Sequence, residues 1–88
     1  MNQIQKIKAE ILRILKDSSN ISNKQIRNKS EMLKAIYEKE LKYAKLRNYD
    51  SIYFSKILYA IYLLEYEDKL IIRELNQNDK REYLARLK

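Results

Sequence analysis

Apolar residues recur at helical spacing in the first part of the chain. From Ile4 to Leu15 they stand three or four positions apart, and charged residues fall mainly on the other sides of the predicted helix. This spacing places the apolar side chains on one side of a helix. The predicted buried side comprises Ile4, Ile7, Ile11, Leu12 and Leu15. The pattern predicts an amphipathic first helix that ends near Asp17, followed by a turn over residues 17–20.

Two capping signals follow this turn. Ser22 and Gln25 have the spacing of a capping box, in which each side chain accepts a hydrogen bond from the other residue's backbone N–H. Asn28 and Glu31 repeat that spacing six residues later. The sequence therefore predicts a short helical turn and then a longer helix over about residues 29–46.

In the last part of the chain, the spacing of the apolar residues changes from that of a helix to that of extended strands. Helical spacing predicts a third main helix over about residues 51–67, with Phe54, Ile57, Leu58, Ile61 and Leu64 on its buried side. Residues 70–75 and 82–87 are typical of extended strands, and turn-forming residues lie between them at 76–79. We expect one domain over residues 1–88, mainly α with a C-terminal β-hairpin.

Three helices followed by a hairpin is the element order of a winged helix-turn-helix. The hairpin also carries Leu70-Ile71, Arg73, Asp79-Lys80-Arg81 and Leu87 at characteristic spacing. This stretch resembles the wing of MarR-type winged-helix regulators, although Lys69 stands where that family usually has glycine. The family's C-terminal dimerisation helix has no counterpart after Leu87 in this sequence, so its ligand-sensing cleft is not carried over and we expect no small-molecule ligand.

The resemblance implies sequence-specific binding of double-stranded DNA. The helix at 51–67 would enter the major groove, and the wing at 70–87 would reach the backbone or the minor groove. Asp79 would position the two basic residues beside it. Hydroxyl and lysine side chains serve bases or phosphates, so we expect weak direct readout of bases. The candidate DNA contacts are Lys42, Lys45, Arg47, Ser51, Tyr53, Ser55, Lys56, Tyr59, Arg73, Lys80 and Arg81.

The charge composition favours a polyanionic partner. The chain has 19 Lys and Arg against 12 Asp and Glu, for a net charge of +7. Such an excess attracts nucleic acid or an anionic membrane at long range. The apolar run at residues 57–64 is too short to span a bilayer, so we expect a cytoplasmic protein without a membrane partner.

Several residue types are absent. The chain has no Cys and no His, which excludes disulfides, thiol nucleophiles and ordinary zinc sites. It also has no Gly, so its tight turns depend on Asn, Asp or Ser. Glu65, Glu67 and Asp68 are interpreted as solvated surface at a helix end rather than as a cation site. We therefore expect no enzymatic activity and no cofactor.

Alternatives remain open for the biological role. The DNA-binding protein would be a transcriptional regulator or an accessory protein at a plasmid or phage DNA site. We expect it to act as a homodimer. The expected dimer contact is whichever of four isoleucines of the first helix remain exposed, namely Ile4, Ile7, Ile11 and Ile14. The second hypothesis is a protein-interaction module, such as a phage- or plasmid-encoded inhibitor. Its contact would be the tyrosine-rich helical side within residues 51–66, where Tyr53, Tyr59 and Tyr62 otherwise cover the edge of the core.

Overall fold

The computed structural model describes residues 2–48, 55–74 and 83–88. These residues are mainly helical and carry one small antiparallel sheet. The elements are α1 (Gln3–Asp17), β1 (Ile21–Ser22), α2 (Asn23–Asn28), α3 (Glu31–Leu46), α4 (Lys56–Tyr66), β2 (Leu70–Glu74) and β3 (Tyr83–Leu87). The strand order in the sheet is β1-β3-β2. None of the helices within these ranges has the length and apolar character needed to cross a membrane.

The first capping signal is confirmed and the second is wrong. The Gln25 N–H donates to Ser22 Oγ at 3.1 Å, and the Ser22 N–H donates to Gln25 Oε1 at 2.9 Å. Asn28, however, is the last residue of α2. The N-cap of α3 is Ser30, whose extended backbone separates the two helices and whose hydroxyl accepts from the Leu33 N–H at 3.2 Å. The longer helix therefore begins two residues later than predicted.

The predicted start of the third main helix is also wrong. Ser55 has an extended backbone, with φ −78° and ψ 111°, and its hydroxyl accepts from the Leu58 N–H at 3.4 Å. The helix α4 therefore begins at Lys56 rather than near residue 51. Phe54, which was expected on its buried side, lies outside the described residues.

The antiparallel pairing of the two C-terminal strands is confirmed, and the described sheet has one strand more than predicted. The turn expected at residues 76–79 lies outside the described residues. The strands β2 and β3 pair antiparallel from Leu70 opposite Leu87 to Glu74 opposite Tyr83. The two-residue strand β1 pairs with the other edge of β3, with Ile21 opposite Ala85. Two residues are too few to produce an alternating pattern, so the sequence carried no signal for β1.

The core lies between α1, α4 and the inner side of the sheet. Its fully buried larger side chains are Ile7, Ile11, Ile26, Leu33, Ile61, Leu64 and Leu70. Ile7, Ile11 and Ile14 are at most 3% exposed, and Ile4 packs against the same cluster. Three of the four candidate dimer-contact isoleucines are therefore used inside the monomer, and Ile4 is the one that stays partly exposed.

Asparagine and aspartate supply the left-handed backbone positions, as the absence of glycine predicted. Asn20, Asn48 and Asp68 have φ values of 53°, 58° and 66°. Asp68 belongs to a Schellman motif at the end of α4, in which the Lys69 N–H donates to the Leu64 carbonyl and the Asp68 N–H donates to the Glu65 carbonyl. Asn48 follows the C-cap of α3 in the same way.

Replacement of Asn48 tests this use of asparagine. An alanine Cβ opposes left-handed backbone, so Asn48→Ala should lower the free energy of unfolding by about 1 kcal/mol. Asn48→Gly should leave it unchanged or raise it slightly. Urea unfolding followed by circular dichroism measures both. Equal stability of the alanine and glycine variants would contradict the assignment.

Candidate nucleic-acid interface

The acidic residues at the end of α4 are paired inside the molecule. The Lys8 ammonium, on the nearly buried side of α1, donates to Glu67 Oε2 at 2.5 Å. Lys69 lies 3.8 Å from the other Glu67 oxygen, and Lys88 pairs with Asp68. The hydrogen bond from Lys8 is the main cause that holds the pKa of Glu67 below its ordinary value. Charge at this end of the molecule is therefore largely compensated.

At the end of α3, by contrast, the positive charges are not compensated by ion pairs with nearby acidic residues of the described chain. Lys42, Lys45 and the C-cap residue Arg47 are all exposed. Within the described residues none of the three makes an ion pair, and the Arg47 guanidinium lies 5.5 Å from the centre of the Tyr43 ring. Lys42 and Lys45 are three residues apart, which makes them neighbours on the helix surface. The structure thus brings three of the predicted contacts together.

The sheet adds two arginines on its outer side. Ile72 and Ala85 face the core, so the residues that alternate with them face outward. Arg73 and Arg86 are exposed on neighbouring strands, where Ile71 is opposite Arg86 and Arg73 is opposite Leu84. Arg86 was not among the predicted contacts. Side chains alternate between the two sides of the strand at residues 83–87. With Ala85 facing the core, this alternation predicts an outward-facing Arg86.

The helix α4 presents aromatic rather than cationic groups. Tyr59 and Tyr66 are 56% and 89% exposed. The rings of Tyr62 and Tyr83 pack edge to face with their centres 5.5 Å apart, and their hydroxyls are hydrogen-bonded. Tyr62 therefore packs α4 against the sheet, which agrees with its expected role at the edge of the core. Lys56 is the single cation of α4, and its ammonium donates to Gln3 Oε1 of α1 at 2.5 Å.

The remaining predicted contacts divide into two groups. Ser55 is 8% exposed and its hydroxyl caps α4, so it has a structural role that leaves it poorly placed to contact a ligand. Ser51, Tyr53, Lys80 and Arg81 lie outside the described residues, as does Asp79.

A carboxylate occupies the N-terminal end of α4. Glu40 of α3 accepts a hydrogen bond from the Lys56 N–H at 2.8 Å. Burial raises the pKa of Glu40 above its ordinary value, and the Lys56 N–H, the Lys56 charge and the Ser55 hydroxyl partly oppose this rise. The carboxylate complements the positive end of the helix. This end of α4 is therefore already occupied by an anionic group.

Within residues 2–48, 55–74 and 83–88, no group of acidic side chains is placed to hold a metal ion. Comparison of the chain with protein-family models, with curated proteins and with solved structures gives no match. Any function must therefore be inferred from the residues themselves.

Replacement of Glu40 tests the electrostatics at the start of α4. A carboxyl group whose pKa is higher in the folded state favours folding below its unfolded pKa, and this contribution is lost as the pH rises through the folded value. Glu40→Gln retains an acceptor for the Lys56 N–H. We expect it to be at least as stable as the native protein at pH 7, and the native protein to gain relative to it as the pH falls to about 4.

Urea midpoints at the two pH values measure this difference. Glu38→Gln is the matched control, because Glu38 is exposed on the same helix. A Glu40→Gln variant that loses stability at pH 7 and recovers it in acid would contradict the account.

Proposed function

We propose that the protein binds double-stranded DNA and has no catalytic activity of its own. The observation that carries the proposal is the uneven compensation of charge. Glu67 and Asp68 are paired with lysines at the end of α4, whereas exposed cations at the end of α3 and on the sheet have no ion-pair partner among the described residues. These exposed cations, in a chain whose net charge is +7, are available to an external polyanion.

In this proposal, phosphate contacts supply most of the affinity. One cationic group consists of Lys42, Lys45 and Arg47, and a second consists of Arg73 and Arg86. Lysine and arginine at such positions bind phosphate oxygens and orient a protein on the duplex without reading sequence. Sequence preference would come from the few groups that reach base edges, among which Tyr59 is the exposed candidate on α4.

The architecture is compatible with a winged helix-turn-helix. The helix α4 passes through its Schellman turn directly into β2, so a helix and a hairpin are held next to each other. We propose α4 as the recognition helix and the β2–β3 hairpin as the wing. The protein would act in the cytoplasm, as a homodimer on DNA, in transcriptional regulation or as an accessory protein at a plasmid or phage DNA site.

A second candidate function is binding of a partner protein through α4. The specific observation in its favour is the exposure of Tyr59 and Tyr66, since tyrosine contributes strongly at protein interfaces. A salt-insensitive interaction with a protein, without any interaction with DNA, would favour this alternative.

Removal of two α3 cations tests the DNA-binding proposal. In Lys42→Gln/Lys45→Gln the affinity for duplex DNA should fall, and the slope of log affinity against log salt should decrease by about 0.9 for each phosphate that the variant no longer neutralises. The matched control is Lys16→Gln/Lys34→Gln, which removes two exposed charges that, like Lys42 and Lys45, make no ion pair among the described residues. Its slope should stay near that of the native protein. Fluorescence anisotropy with a labelled random duplex, over a series of salt concentrations, measures all three proteins.

Equal slopes for the two double variants would mean that net charge, rather than the end of α3, determines binding. Absence of binding by the native protein at low salt would contradict the proposal itself and would favour a protein partner.

A further inference from the structure

A surface groove lies between the N-terminal part of α1 and one side of α3. It consists of two cavities of about 440 Å³ and about 360 Å³, which share Gln3 and Ile36. The larger cavity also contacts Met32 and Lys6, and the smaller one extends to Tyr43. We call this surface the α1–α3 groove.

The groove is elongated and its floor is apolar. Met32, Ile36 and Tyr43 recur at helical spacing on the same side of α3. Met32 and Ile36 are half-buried, and the Tyr43 ring is 49% exposed. At a rise of 1.5 Å per residue, the distance along α3 from Met32 to Tyr43 is roughly 16 Å. This length suits about three turns of a helix laid in the groove better than a compact small molecule.

The rim of the groove is cationic. Lys6 and Lys39 are exposed, and within the described residues neither makes an ion pair. Glu40 is the acidic residue in the lining. One of its oxygens accepts from the Lys56 N–H, and the other is buried with no hydrogen-bond partner among the described residues, so neither is presented at the surface of the groove as a free acceptor. An incoming segment therefore meets an apolar floor between positive charges.

These charges decide between possible occupants. A second copy of this chain carries the same net charge of +7 and would be repelled from a lysine rim. A DNA backbone would be attracted to the lysines but would gain nothing from Met32, Ile36 and Tyr43. An amphipathic helix with acidic flanks matches both the floor and the rim.

We propose that the α1–α3 groove binds an acidic amphipathic helix of a partner protein. The apolar side of that helix packs on Ile36 and Tyr43, and its carboxylates lie opposite Lys6 and Lys39. Lys42, Lys45 and Arg47 lie outside the groove lining, but the groove adjoins them, because the Arg47 guanidinium lies 5.5 Å from the centre of the Tyr43 ring and Lys56 is part of the lining. The test must therefore distinguish peptide binding in the groove from DNA binding beside it.

A labelled model peptide tests the proposal. The probe is a helical peptide of about 12 residues, with leucines at helical spacing and glutamates at the remaining positions. The control peptide has the same composition with the leucines scattered. In fluorescence anisotropy the first peptide should bind at least about tenfold more tightly than the second, a difference of about 1.4 kcal/mol. Equal affinity of the two peptides would overturn the proposal, since simple charge attraction would then explain binding.

Variants of α3 locate the contact. Lys39→Glu and Ala35→Glu each place a negative charge at the groove, and both positions are exposed. Each should weaken peptide binding about tenfold. Lys34→Glu makes the same charge change as Lys39→Glu on the opposite side of α3 and should alter affinity by less than about twofold. Circular dichroism checks folding, and Lys6→Glu on α1 replaces any α3 variant that fails to fold.

Two results would overturn the assignment of the groove. The first is an equal loss of peptide affinity in Lys39→Glu and Lys34→Glu. The second is a loss of duplex DNA binding in both Lys39→Glu and Ala35→Glu as large as in Lys42→Gln/Lys45→Gln, because the groove would then belong to the DNA surface. Failure of DNA binding alone, with peptide binding retained, would overturn the proposed function and leave the groove assignment intact.

Discussion

Packing of α1 against α4 is the constraint on which the rest of the structure depends. An 88-residue chain without cysteine, histidine or glycine has no disulfide, zinc site or glycine turn to support its fold. Ile7 and Ile11 of α1 and Ile61 and Leu64 of α4 are at most 1% exposed. Lys8 extends this contact by its hydrogen bond to Glu67. Because Ile7, Ile11 and Ile14 are used in the core, Ile4 is the isoleucine among the four candidate dimer contacts that keeps part of its surface for a second copy.

This arrangement also determines which charges remain available. Lysines of α1 and of the chain end compensate the acids beside α4, while α3 contributes few fully buried side chains beyond Leu33 and Ala44. Most of the α3 surface is consequently free for partners. One part is the cationic C-terminal end, for which we propose contact with DNA. Another is the apolar side that forms the floor of the α1–α3 groove.

The sequence predicted those features that depend on neighbouring residues. The end of α1, the capping box at Ser22, the hairpin pairing and the use of asparagine in turns all follow from local patterns, and all are present. The start of α4 was missed because it depends on a distant group. The Glu40 carboxylate, sixteen residues before Lys56 in the sequence, accepts a hydrogen bond from the Lys56 N–H and so favours a helix that starts at this residue.

In the candidate site, too, the sequence predicted the residues that depend on local pattern and missed those that depend on distant contacts. Exposed cations at the end of α3 follow from the helical period, so Lys42, Lys45 and Arg47 could be found from the sequence. The burial of Ser55 could not be found, since it depends on packing between helices. The position of Arg86 beside Arg73 required the register of β2 against β3, which only the pairing of the strands provides.

Mapping the surface of the native protein that contacts a DNA duplex tests the proposed DNA-binding function most directly. We would titrate ¹⁵N-labelled protein with a short random duplex at low salt and follow the backbone amide resonances. We predict the largest shifts at Lys42, Lys45, Arg47, Arg73 and Arg86, together with a shift at Tyr59 of the proposed recognition helix. All of them should disappear as salt is added, and the middle of α1 should change little. Shifts confined to the exposed tyrosines of α4, or no shifts at any protein concentration, would contradict the proposal.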